Sequence, residues 1–174
     1  MFDKIINVYI DMDGVQTVYN KDDLVDDMKK PGYFISRQPH EQVLDFIRAL
    51  DEDPRFSVTV LSAVFCDAHS VFEKATWLYT NGISDVNCMF VPCETKKCDY
   101  VDGSQMNVLI DDYSKNLIEW EAAGENFRGI KFLNEANGIN GTWNARGGAT
   151  LHYQMSADEL YHELVRIVDI RLAA

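Results

Sequence analysis

Short apolar runs alternate along the chain with longer stretches in which apolar residues recur every three or four positions. The short runs read as strands buried on both faces and the longer stretches as amphipathic helices; their alternation is the mark of βαβ units. Strands are predicted over Ile5–Ile10, Ser57–Leu61, Asn87–Val91, Asn107–Ile110 and Gly129–Leu133. Helices are predicted over Glu41–Leu50, Asp67–Thr80, Lys115–Ala123 and Ala157–Leu172. Ser156 precedes the last helix with Glu159 three residues on, the spacing of a capping box. Leu160, Leu164, Ile167, Val168 and Arg171 then give one apolar stripe and a charged face. Gly82 and Gly124 fall where helix ends take a left-handed residue. The expected fold is α/β: a doubly wound, mostly parallel five-stranded sheet in a single domain over residues 1–174.

Two segments break the alternation. Residues 16–39 form a polar, mixed insertion after the first strand, and Asn134–Gly148 is rich in Asn and Gly. Irregular stretches of this length inside one domain commonly carry function.

Composition narrows the classes. At 174 residues the chain has the size of one ordinary domain, and 47% hydrophobic residues suit a packed core. Its apolar runs are too short to span a bilayer, and no basic-then-apolar segment opens it, so a cytoplasmic protein without a membrane partner is expected. Cys66, Cys88, Cys93 and Cys98 lack the two-residue spacing of a zinc knuckle and read as reduced structural thiols. A net charge of -12 excludes long nucleic acid as a partner. A small anion can still enter a cleft in which a cation and one or two lysines reverse the local potential. Oligomeric state is not legible in the sequence.

The candidate chemistry sits at strand ends. The first strand runs into Asp11-Met12-Asp13-Gly14-Val15, and Gly14 permits a turn that brings both carboxylates toward one site. Val108-Leu109-Ile110 runs into a second acidic pair, Asp111-Asp112. In open parallel sheets ligands bind at this carboxyl edge. Four carboxyl groups gathered there oppose one another's ionisation, and magnesium, a hard ion served by carboxylate and phosphate oxygens, resolves the conflict. Val58–Leu61 delivers Ser62, whose hydroxyl, with the N–H of Ala63, suits a phosphate oxygen. Lys97 follows the next strand and can neutralise both acids and phosphate; Lys96 is its near rival, and Lys74 lies in the helix after Ser62. The four histidines share no ligand-like spacing. Tyr19, Tyr33, Phe34 and Arg37 in the insertion, and Trp143 beside Asn144 and Arg146 in the Gly/Asn-rich loop, are candidates for substrate contact.

These pieces in this order (DMDGV, VTVLS, Lys97 and VLIDD) resemble the haloacid dehalogenase superfamily of phosphatases, most nearly its 5'-nucleotidase and 5'(3')-deoxyribonucleotidase branch. The resemblance implies a magnesium-dependent phosphomonoesterase acting on a nucleotide or other small phosphorylated metabolite. Asp11 is then the nucleophile that carries the phosphoryl group, and Asp13 the acid and base. Asp11, Asp111 and the backbone carbonyl of Asp13 hold the metal, which Asp112 helps orient, while Ser62, Ala63 and Lys97 hold the phosphate. Residues 16–39 occupy the place of the superfamily's cap or lid, and are fewer than that branch leads one to expect. Two other readings stand beside this one: a catalytically weak binder of nucleotides or phosphometabolites on the same fold, and a receiver domain. The receiver needs an aspartate at the end of a middle strand, where this chain has Ser62.

Overall fold

Every strand of the sheet runs parallel to its neighbours. The computed structural model describes residues 5–138 and 148–172. Among them the strands are β1 (Ile6–Ile10), β2 (Phe56–Val64), β3 (Asn87–Pro92), β4 (Asn107–Asp111), β5 (Phe127–Leu133) and β6 (Ala149–His152). They lie in the order β3-β2-β1-β4-β5-β6. The helices are α1 (Val25–Met28), α2 (Glu41–Asp51), α3 (Ser70–Thr80), α4 (Ser114–Glu121) and α5 (Ala157–Leu172), with a 3-10 turn at Lys97–Tyr100. No helix among the described residues is long and apolar enough to cross a membrane.

The alternation of side chains in the central strands explains the layering. Val8 and Ile10 of β1, Val58 and Val60 of β2, and Val108 and Ile110 of β4 point to one face, where α2, α3 and α5 bring Ile47, Trp77 and Leu164. Tyr9, Leu61 and Leu109 point to the other face and meet Leu117 and Trp120 of α4. Tyr9 and Phe127 each set a ring edgewise to Trp120, at centroid distances of 5.3 and 5.2 Å. Helices on both faces cover the central strands on both sides, which is why β4 is buried along its whole length.

Two expectations are corrected. The sheet has a sixth strand: β6 is only four residues, with Leu151 alone fully buried, too short and too polar to show a period. β2 also continues past Leu61 to Val64, because Ser62, Ala63 and Val64 pair with Phe90, Val91 and Pro92 of β3. Ser62 is therefore inside a strand. The predicted helix starts and ends shift by a few residues; Asp67, expected inside the third helix, accepts the backbone N–H groups of His69 and Ser70 just ahead of α3. The capping box before α5 is formed, with Ser156 N donating to Glu159 at 2.8 Å.

β1 has β2 on one side and β4 on the other. The chain winds outward from β1 through β2 to β3 and then crosses back to β4, so the loops leaving β1 and β4 part and open a crevice at their carboxyl ends. The insertion leaves and returns through a narrow neck, where Thr17 bridges Pro39 and Val18 N donates to Gln38 O at 2.9 Å.

Candidate active site

Asp11 continues the ladder of β1, its N–H donating to Ile110 O of β4 at 2.9 Å. The chain then folds back: Gln16 N and Thr17 N both donate to Met12 O, at 2.9 and 3.0 Å. Gly14 makes this possible with φ at 74°, in the left-handed region. Its missing side chain matters as much as its torsion. A Cβ there would stand 2.3 Å from Asp112 Oδ2. Gly14→Ala is therefore expected to cost about 2 kcal/mol or more, from left-handed strain plus the overlap. A urea midpoint indistinguishable from that of the native protein would contradict it.

The two loops are stitched together by Asn134, whose Nδ2 donates to Gly14 O at 2.7 Å and to Asp112 Oδ2 at 3.0 Å. One carboxylate oxygen each from Asp11, Asp111 and Asp112 lies within 4.8 Å of the other two. This set of hard oxygens fits a divalent cation such as magnesium, whose opposite ligands stand about 4 Å apart. The Asp13 side chain is not in the group, and Asp112 is one of its three members.

Lys97, the first residue of the 3-10 turn, is buried between two of these acids. Its Nζ lies 2.9 Å from Asp11 Oδ1 and 2.7 Å from Asp111 Oδ2. Burial works against its charge, but Asp11 and Asp111 outweigh that and hold the ammonium above its ordinary range. Lys96 next to it is exposed. Asp11 Oδ1 also accepts Met12 N at 2.8 Å, whereas Asp11 Oδ2 has no hydrogen-bond partner among the described residues. Asp111 also accepts Tyr113 N on Oδ1 and Asn116 Nδ2 on Oδ2.

Asp13 faces a different lysine. Lys74 of α3 is completely buried, and its Nζ sits 2.5 Å from Asp13 Oδ2, 2.9 Å from Ser62 Oγ and 2.6 Å from Ala63 O. Because Lys74 donates to the Ser62 oxygen, the serine's own proton is left to donate elsewhere. Lys131, at the end of β5, is also buried and donates to Asp112 O and to Ser114 Oγ. Four carboxyls thus face three buried ammoniums, one formal negative charge in excess. That near-balance does not by itself attract a dianion.

Burial raises Asp112, and the charges of Asp111 and Asp11 push it further, to about 8. Asp111 is raised as well, chiefly by burial, against the pull of Lys97. The sign for stability follows. An Asp112 carboxyl that ionises readily when unfolded and reluctantly when folded favours the folded state at low pH, and that advantage is lost as pH rises through about 8. In chelator, the urea midpoint is expected to fall between about pH 5 and pH 8. Added magnesium should flatten the fall by stabilising the ionised cluster.

The remaining predicted contacts divide. Tyr19 is half-buried; burial raises its phenol first, and the charges of Asp112, Asp23 and Asp13 raise it further. Tyr33 and Arg37 are consumed within the insertion: Tyr33 Oη donates to Asp23 at 2.7 Å, and Arg37 spans Asp23 and Val18 O at 2.7 Å each. Trp143 lies outside the described residues. Asn134 and Lys131 are not among the predicted site residues, and Lys74 is noted there only as a lysine in the helix after Ser62. Lys74 left one trace in the sequence: with Glu73 it interrupts the inward stripe formed by Ser70, Trp77 and Leu78, where a charge needs a partner. Asn134 and Lys131 left none.

No protein-family model and no curated protein matches this chain.

Proposed function

We propose that this chain is a magnesium-dependent phosphomonoesterase of the haloacid dehalogenase type, with Asp11 as its nucleophile and a nucleotide or similar small phosphorylated metabolite as its substrate. The observation that carries the reading is the state of Asp11. One oxygen is pinned by Lys97 and Met12 N while the other is without a partner among the described residues, at the crevice between β1 and β4 and beside two further carboxylates.

Asp11, Asp111 and Asp112 would hold the metal, which would polarise the phosphoryl oxygens and screen the dianion from the carboxylates. Asp11 Oδ2 attacks phosphorus; the new bond makes an aspartyl phosphate as the bond to the leaving oxygen breaks. The departing oxygen takes a proton from the Asp13 carboxyl, which Lys74 positions. In the second step Asp13 accepts a proton from water as the water oxygen attacks phosphorus and the bond to Asp11 breaks. Lys97 keeps Asp11 in line, and Ser62 donates its hydroxyl proton to a phosphoryl oxygen. Such chemistry asks for positioning and charge stabilisation above all, which a buried set of fixed charges supplies.

The test is phosphate release from a panel of 5'- and 3'-nucleotides, ribo and deoxy, with sugar phosphates alongside, in magnesium and in chelator. Turnover is expected in magnesium and a loss of at least about a hundredfold without it. Saturable binding of the same compounds with no turnover would replace the enzyme by a binding protein.

A further inference from the structure

The insertion is fastened to α3 by two side chains one helical turn apart. Glu73, buried, accepts the N–H of Gly32 at 2.5 Å and of Phe34 at 3.1 Å. Trp77 Nε1 donates to Arg37 O at 2.8 Å. Residues at i and i+4 share a helix face, so both grip the same stretch of the insertion. Gly32 can present its N–H this way because its φ of 90° is in the left-handed region. With its backbone held, Phe34 sets its ring over Lys74, the ammonium 4.5 Å from the ring centroid. Lys74 is the residue that grips Asp13 and Ser62.

Among the described residues no cation forms an ion pair with Glu73, and a buried carboxylate needs hydrogen bonds to offset its lost hydration. Here its two charge-assisted hydrogen bonds end on the insertion backbone. The chain of contact runs from Glu73 through Phe34 and Lys74 to Asp13. We infer that Glu73 is a positioning residue: by seating the insertion it places Phe34 over Lys74 and so fixes the Asp13–Lys74 pair that delivers the proton to the leaving group. This rests on the role given to Asp13 above. Glutamine at position 73 keeps one acceptor and turns the other into a donor facing an N–H, which unseats the segment. Leucine at position 34 uncovers Lys74 without touching the carboxylate.

Two measurements test this on the full chain. Hydrogen exchange of the Gly32 and Phe34 amides should quicken by about tenfold or more in Glu73→Gln, with β1 and β4 unchanged. Turnover in magnesium should separate two esters. An alkyl phosphomonoester needs its leaving oxygen protonated, and both Glu73→Gln and Phe34→Leu should lose about tenfold or more on it. An aryl ester such as para-nitrophenyl phosphate leaves as a stable anion, and the loss there should stay within about threefold. Equal losses on the two esters would mean a general structural defect and would overturn the positioning role. Unchanged exchange would overturn the seat itself. A native protein inactive on both esters would overturn the phosphatase reading and proton delivery with it, while quickened exchange would still support the seat.

Discussion

Asp11→Asn is expected to give a folded protein whose phosphate release in magnesium is lower by at least about a thousandfold, or about 4 kcal/mol of transition-state stabilisation. The amide cannot form the aspartyl phosphate. The substitution is nearly isosteric and removes one of three crowded negative charges, while Lys97 keeps Asp111 at 2.7 Å. The fold should therefore tolerate it, with a thermal midpoint equal to or above that of the native protein in chelator. Substantial magnesium-dependent turnover by the variant would rule Asp11 out as the nucleophile.

Lys97→Met should act on both stability and rate. The ammonium is the counter-charge for Asp11 and Asp111 in a buried setting, so removing it strands two carboxylates, a change that typically costs about 3–5 kcal/mol. The loss has a direction in pH. Stranded carboxyls escape by protonating, so the destabilisation should be largest near pH 8 and smaller near pH 5. Magnesium should restore part of it by supplying the missing positive charge. Urea titrations at the two pH values, with and without the metal, read all of this. A variant as stable as the native protein at pH 8 in chelator would mean that the Lys97 pair contributes nothing net. Activity should fall by orders of magnitude, since Asp11 Oδ1 then loses the contact that orients it.

The two substitutions probe different parts of one arrangement. Asp11→Asn removes the reacting oxygen and relieves crowding; Lys97→Met leaves that oxygen and worsens crowding. Opposite shifts in metal-free stability accompanied by parallel losses of turnover would be hard to reconcile with a role in packing alone.

Much of the sheet was legible in the chain. Strand and helix periods are local, so the alternation of apolar runs with amphipathic stretches placed β1, β3, β4 and β5 within a residue or two. The DMDGV turn and the DD pair stood at strand ends, where parallel sheets gather ligands, so Asp11 and Asp111 needed only strand adjacency to meet. β6 escaped because four residues show no period, and the full reach of β2 escaped because its last three residues are held by pairing to β3.

Chain order and residue type alone set the alternating elements, the acids at two strand ends and a buried lysine ahead of the second. Which charges neutralise which was decided only by the fold. Asp13 and Lys74 are 61 residues apart, and Asn134 reaches Gly14 across 120. Such pairings follow from how helices and loops settle on the sheet, and Coulomb and hydrogen-bond energies depend on distances in space that no local pattern encodes.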